Sequence, residues 1–308
     1  MSVFLTGATG FIGGHILRML SARGYRVTCL VRPSNRALHA LEGLPGVQLI
    51  EGEWTRPESW LASIAGSQFV INAIGIIRER RHASFAQVHT LSPIALFDAA
   101  TKMGVKKIVQ ISALGADEAA ESRFHLTKRA ADQYLMQLGI PYVILRPSFV
   151  YGPGDHSMAF FSQLARLPLT PVPGDGCYRV QPLYVGDLVK TVSLAIERAD
   201  LSAVVVDLGG SEVLTFNEML DLLAHCQEKG RDARKVHIPW SIMAIIARAT
   251  DLLGGRGPIT SDELRMLQRE NFTDHLNQFV QLFGFEPLPF SCGISSNIRQ
   301  PPNPLNRA

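Results

Sequence analysis

The sequence is poor in cysteine. Cys29, Cys177, Cys226 and Cys292 are its whole complement, and no two lie close enough for a CxxC metal or redox pair. A chain of 308 residues does not need disulfide staples, so reduced thiols in a cytoplasmic compartment are expected. Long apolar runs are missing too: none reaches the roughly 18 residues of a membrane span. The nearest, Trp240 to Leu253, is interrupted by Arg248 and Asp251 and leaves at most a helix lying on a surface. No basic region precedes the first apolar residues, so no signal peptide is expected. Charge is nearly balanced, with 30 Lys and Arg against 27 Asp and Glu. The basic residues are dispersed, which argues against nucleic acid as a partner. Internal repeats, low-complexity segments, HExxH spacing, clustered acid pairs and a GxSxG elbow are all absent, so neither metal nor hydrolase chemistry is expected.

What is present is organised around seven residues. Gly7-Ala8-Thr9-Gly10-Phe11-Ile12-Gly13 follow a short apolar run, Val3-Phe4-Leu5, and precede an amphipathic stretch from Ile16 to Leu20. That is strand, glycine turn, helix. Such a turn aims backbone N–H groups at a phosphate, where the helix dipole also favours negative charge. Gly7 serves the tight turn, Gly10 the approach of a pyrophosphate, and Gly13 the close packing of helix on sheet. The pattern predicts a dinucleotide site.

Strands at 26–31, 47–50, 69–73, 107–111 and 142–145 alternate with helical stretches at 57–64, 85–103 and 119–138. This alternation predicts an α/β fold: a Rossmann-type, doubly wound parallel sheet over residues 1–150. A smaller α/β lobe interleaved with the core is expected over 151–290, and an extended or mobile tail over 291–308. Arg32 stands at the end of the second strand, where NAD-selective sites commonly carry an acid, and Arg36 lies close by. An arginine there accommodates a 2′-phosphate, so NADP(H) is the preferred cofactor and NAD(H) a permitted one. Glu53, after the third strand, is placed to accept a hydrogen bond from an adenine amino group. Arg78, Arg80 and Arg81 read as a mobile charged loop. Asp155, His156 and Tyr184 read equally as pocket residues or as capping and packing groups.

Taken together, TGATGFIG, Asn72-Ala73, Ser112, Arg146-Pro147, Tyr151-Gly152-Pro153-Gly154-Asp155 and Gln181-Pro182-Leu183-Tyr184-Val185-Gly186-Asp187-Leu188 resemble the extended or atypical short-chain dehydrogenase/reductases over residues 2 to 285. The resemblance implies a cofactor site that also includes Ala73, Ile74, Gly75, Pro147 and Ser148. It further implies a catalytic set of Ser, Tyr and Lys. Tyrosine is the general acid/base, lysine lowers its pKa and binds the nicotinamide ribose, and serine holds the reacting oxygen. Ser112 and Lys128 fill their positions. The tyrosine position, four before Lys128, is Phe124, which has no proton to exchange. His125 points about 100° around the helix and Tyr134 lies two turns on. Cofactor binding is therefore expected to survive, while ordinary carbonyl reduction or sugar epimerisation is lost or severely reduced.

Within that family the sequence most resembles the NAD(P)H-binding accessory subunit of respiratory complex I and its bacterial relatives. Ala73-Ile74-Gly75, Ser112 to Ala116 and the Pro258–Asn271 run carry this likeness. It implies a structural or regulatory NADP(H)-binding protein in a membrane-associated respiratory or quinone-biosynthesis assembly, peripheral at the inner membrane surface. An active NAD(P)H-dependent reductase or epimerase-like enzyme using Lys128, and a redox sensor, are the alternatives. Trp240, Ile242, Met243, Ile245, Ile246, Leu252 and Leu253 form a candidate interfacial face, for which packing inside the protein is the preferred reading.

Overall fold

The computed structural model describes residues 1–32, 41, 43–80, 83–226 and 232–297. The expectations for Arg36, for Arg81 and for the tail beyond residue 297 lie outside the described residues. In chain order come β1 (Ser2–Thr6), α1 (Phe11–Ala22), β2 (Arg26–Val31), β3 (Val47–Glu51), β4 (Phe69–Asn72), α2 (Ser92–Lys102), β5 (Lys107–Ile111), α3 (Arg123–Gln137) and β6 (Tyr142–Pro147). There follow β7 (Val150–Tyr151), α4 (His156–Ala165), β8 (Thr170–Pro173), β9 (Arg179–Val180), β10 (Leu183–Tyr184), α5 (Val185–Glu197) and β11 (Val204–Leu208). The remainder is β12 (Leu214–Thr215), α6 (Phe216–Ala224), β13 (Lys235–Ile238), α7 (Trp240–Leu252), α8 (Ser261–Gln268), α9 (Leu276–Phe283) and α10 (Phe290–Asn297).

Two compact units result. The first contains Met1–Pro147 and Val185–Asp207. It is built on a seven-stranded sheet of order β11-β6-β5-β4-β1-β2-β3. From β3 to β6 neighbouring strands run parallel, with Phe4 opposite both Thr28 and Val70. Every residue of β4 and β5 is buried, as a parallel sheet covered on both faces requires. The order reverses between β1 and β4, so the loops leaving them part to opposite faces and open a crevice at the carboxyl ends of the strands. Phe4, Trp60, Val70, Phe97, Ile108 and Ile144 form the core on one side. The buried Lys107 ammonium donates to the Ala195 carbonyl at 2.9 Å and the Arg198 carbonyl at 2.7 Å. It thereby satisfies carbonyls at the end of α5, where a cation is also favoured by the helix dipole.

The second unit runs over Ser148–Tyr184 and from Leu208 onward. Its strands are short pairs: β7 with β10, β8 with β13, and β9 with β12. Tyr151, Val172, Tyr178, Phe216, Leu220 and Phe290 form its core. Asp155 caps α4, accepting from the Ser157 and Met158 amides at 3.0 and 2.7 Å, and Tyr184 packs on Tyr151 with centroids 5.6 Å apart. Those two residues therefore do capping and packing work.

Several elements differ from their sequence reading. Residues 57–64 form two short 3-10 turns, Pro57–Ser59 and Leu61–Ile64, rather than one helix, because the chain leaves helical geometry at Trp60, whose φ is -141°. Helix α3 starts at Arg123, not at residue 119, with Ser122 as its cap. Residues 291–297, placed in an extended tail, are helical in α10. The candidate interfacial face of α7 splits. Met243 and Ala247 pack with Leu264, against Trp240 and Ile246, whereas Ile242, Ile245, Leu252 and Leu253 are exposed, so packing accounts for only part of it.

Candidate functional site

The glycine turn leaves β1 and enters α1 with almost no room to spare. Gly7 has a φ of +76°, and a Cβ there would sit 2.6 Å from the Ala73 carbonyl oxygen. A Cβ on Gly13 would overlap the Gly7 carbonyl, and one on Gly10 would lie 3.2 Å from the same oxygen. The Gly10 amide closes the turn onto that oxygen at 2.9 Å. Gly10 is the N-cap of α1 and has no side chain with which to satisfy the first-turn amides. Ala8 is buried, while Thr9, Phe11 and Ile12 are part-buried around the turn. A helix N-terminus left bare by its own cap, at a switch point of a parallel sheet, fits a dinucleotide pyrophosphate.

The loop after β4 closes against this turn. The Asn72 carboxamide oxygen accepts from the Thr6 hydroxyl at 2.6 Å and the Ile74 amide at 3.4 Å, and its nitrogen donates to Gln110 at 2.8 Å. That network fixes where Ala73, Ile74 and Gly75 begin. A Cβ on Gly75 would lie 3.4 Å from the Lys128 Nζ, so the lysine comes directly up against the loop.

Phe124, Lys128 and Asp132 fall four residues apart on α3, hence on one face. Lys128 is buried and donates to the Ile74 carbonyl at 3.3 Å and the Ile111 carbonyl at 3.0 Å. Among the described residues no carboxylate lies within ion-pair distance of it. Two of its three N–H bonds are thus committed and one remains for a ligand, which fits a ribose hydroxyl. Burial brings its pKa down to about 8, with Asp132 opposing the shift. Asp132 is fully buried. One of its oxygens accepts from the Ser112 hydroxyl at 2.7 Å and from Arg146 Nε at 3.1 Å, while the other has no partner. Burial raises its pKa to about 6 against the opposing pull of Ser112 and Arg146. Ser112 has a single proton, and it is directed at Asp132. The serine oxygen is left to act as an acceptor.

Phe124 stands where the tyrosine was expected. Its ring meets Phe85, His89 and His125 edge-on, with centroids 6.0, 5.3 and 5.1 Å away. Neither neighbour replaces the missing hydroxyl. The His125 ring is held by the Ser122 hydroxyl at 2.8 Å, and Tyr134 donates to Asp98 at 2.7 Å. The loop bearing Arg78 and Arg80, read as mobile, is pinned at Glu79, which accepts from Arg123 at 2.7 and 3.1 Å and from the Phe85 amide at 2.8 Å.

Other expected site residues are placed as follows. Arg32 is exposed at the end of β2 and has no carboxylate partner among the described residues. Glu53 is exposed in the turn after β3. Pro147 is buried and accepts from the Leu114 amide at 2.9 Å. Ser148 opens the second unit and donates to the Gln181 carbonyl at 2.5 Å. His89 and Asp132 went unnoticed in the sequence. Asp132 had a signal, its four-residue offset from Lys128; His89 had none. Among the described residues no three His, Cys, Asp or Glu side chains gather as a metal site.

Fold and site together define a Rossmann-type, NAD(P)-binding protein. The chain belongs to the NAD dependent epimerase/dehydratase family, whose model matches residues 3–209. It is similar to a ceramide reductase of Caulobacter vibrioides, 29% identical over 240 residues that cover 77% of this chain and 73% of that protein. It is also similar to NADH dehydrogenase [ubiquinone] 1 alpha subcomplex subunit 9 of Arabidopsis thaliana, 28% identical over 82% of this chain and 64% of the plant protein. Among solved structures, a UDP-glucose 4-epimerase from Thermotoga maritima superposes with a TM-score of 0.74 at 22% identity, covering 97% of each chain, a likeness of fold.

Proposed function

We propose that this protein holds NADP(H) as a retained cofactor and does not run tyrosine-dependent dehydrogenase or epimerase chemistry. The observation that supports the reading is Phe124, packed edge-on among aromatic rings at the position where the resemblance puts a general acid/base, in a chain that keeps the glycine turn and a buried Lys128. The chemistry such a dinucleotide would make available is hydride transfer from its reduced nicotinamide ring. Gly7 to Gly13 cradle its pyrophosphate, Ala73 to Gly75 and Pro147 border it, and Lys128 holds its ribose. Glu53 faces the adenine and Arg32 takes the 2′-phosphate of NADP(H). The likeness to a complex I subunit supports a place in a membrane-associated respiratory or quinone-related assembly. Among the described residues no helix is long and apolar enough to cross a membrane. The exposed Ile242, Ile245, Leu252 and Leu253 on and beside α7 instead suit peripheral attachment.

A second reading is an active NADPH-dependent reductase in which Lys128, alone or with a water, delivers the proton. It is favoured by the likeness to a ceramide reductase and by the low pKa of the buried lysine. Purified protein is assayed for bound nucleotide and for NADPH oxidation with quinone, aldehyde and sugar-nucleotide substrates. No turnover is expected; turnover that Lys128→Ala abolishes establishes the second reading instead. Cofactor choice is tested by titration. Arg32→Asp removes a charge-assisted contact to the 2′-phosphate, so NADPH affinity falls by roughly 10- to 100-fold while NADH affinity is nearly unchanged. Equal losses for both nucleotides would take Arg32 out of the site.

A further inference from the structure

His89 sits in a π-helical turn, residues Ala86–Leu91, that leads into α2. Such turns insert one extra residue and re-aim the side chains around it. Here the histidine is turned inward and is 1% exposed. Its Nε2 accepts from the Ile76 amide at 3.0 Å, and its Nδ1 lies 3.2 Å from the Thr127 hydroxyl oxygen. That hydroxyl is 2.8 Å from the Arg123 carbonyl and 3.0 Å from the Phe124 carbonyl, and its one proton goes to them. Only a lone pair remains for His89. The ring is therefore neutral, protonated on Nδ1 and bare on Nε2.

The surroundings hold that state. Phe85 stacks on the ring with centroids 5.3 Å apart and planes 23° from parallel, and Phe124 meets it edge-on at 88°. Burial, then the nearby Lys128 charge, drive the pKa of His89 down to about 2. Lys128 and His89 meet the same short loop with opposite chemistry. Lysine donates to the carbonyl of Ile74, and histidine accepts from the amide of Ile76. Gly75 lies between them: a Cβ there would come into ordinary van der Waals contact with both, 3.4 Å from Lys128 Nζ and 3.8 Å from His89 Nε2.

We propose that His89 is a positioning residue, clamping the Ala73–Ile76 loop against the glycine turn in partnership with Lys128, and that Phe124 serves as its aromatic support. The residue that replaces the tyrosine then has a task of its own. It keeps water from the histidine and so keeps the wall of the cofactor crevice in place. The inference rests on the reading of that loop as part of the dinucleotide site.

Three forms of the full-length protein test it: the wild type, His89→Phe, which keeps a stacked ring and loses the acceptor, and His89→Gln, which restores an acceptor. Amide hydrogen exchange is measured without nucleotide at Ile76, with Val109 in β5 as the reference for global stability, and NADPH affinity is measured alongside. The clamp predicts at least about tenfold faster exchange at Ile76 in His89→Phe with Val109 unchanged, NADPH binding weakened by about tenfold, and partial rescue of both by His89→Gln. Nitrogen NMR of the wild type is expected to show the Nδ1–H tautomer. Unaltered Ile76 exchange in His89→Phe, or the Nε2–H tautomer, overturns the clamp whatever the nucleotide does. If the wild type binds no nucleotide while Ile76 responds as stated, the clamp is supported and the cofactor reading is what fails. Where His89→Phe does not fold, His89→Gln and the wild-type tautomer decide the matter.

Discussion

Gly13→Ala is expected to lose most of the protein's nucleotide affinity. The added Cβ would occupy the space of the Gly7 carbonyl oxygen and come within 3.1 Å of the Ala8 amide nitrogen. Both obstacles are backbone, so no rotamer change relieves them. The turn has to move away from α1, and it carries the Gly7 carbonyl onto which Gly10 closes. Overpacking of this kind costs about 1–3 kcal/mol in stability. Binding suffers more, because the first-turn amides lose the alignment that lets several of them share one anion. A loss of at least about 100-fold in affinity is expected, equivalent to about 2.7 kcal/mol. Gly24→Ala is the control. That glycine has a φ of +74° but nothing within 4 Å of its missing Cβ. It lowers stability by about 1 kcal/mol through backbone strain and leaves NADPH affinity untouched. Calorimetric titration and thermal melting of both variants check the contrast. Gly13→Ala protein that binds NADPH like the wild type would remove the glycine turn from the site.

Phe124→Tyr is expected to create carbonyl reductase activity. The ring already stands one helical turn before Lys128, and its edge contacts with Phe85, His89 and His125 survive the change. On the proposed reading the new hydroxyl would supply the ionisable proton that phenylalanine cannot, one helical turn from a buried ammonium, and a nearby cation lowers a phenol pKa. A positioned general acid is worth about 10²–10⁴ in rate. NADPH oxidation with aldehyde substrates should therefore rise at least about 100-fold over the parent protein. The gain requires Lys128, so Phe124→Tyr combined with Lys128→Ala returns to the parental rate. A variant that binds NADPH normally and stays inert with every carbonyl offered shows that something other than the missing hydroxyl blocks turnover.

The first unit was legible because its signals are strong and local. Glycines at Gly7, Gly10 and Gly13 follow a buried strand, and apolar runs such as Phe69 to Ile71 mark a sheet covered on both faces. The four-residue step from Phe124 to Lys128 is helical arithmetic. The second unit was less legible. Strands β7, β9, β10 and β12 are two residues long, too short to show a period of two. Helices α9 and α10 are eight residues each, at the lower limit of a recognisable helical stripe. Asp132 was missed because a charged residue on a helix reads as solvent-facing, whereas here it is enclosed by Ser112 and Arg146. His89 left no trace because the π-turn shifts the helical phase by one residue, which turns inward a side chain that ordinary spacing does not single out. The glycine turn is a matter of sequence order, while the supports behind it arise from tertiary packing.

The central claim is that the cofactor is kept and not turned over. It is tested most directly by releasing the nucleotide from denatured, freshly purified protein, identifying it by mass, and comparing its redox state before and after incubation with quinone, aldehyde and sugar-nucleotide substrates. The account predicts near-stoichiometric NADP(H) whose redox state those substrates leave unchanged. Protein free of nucleotide and unable to take up NADPH, or bound NADPH that the substrates oxidise, would contradict it.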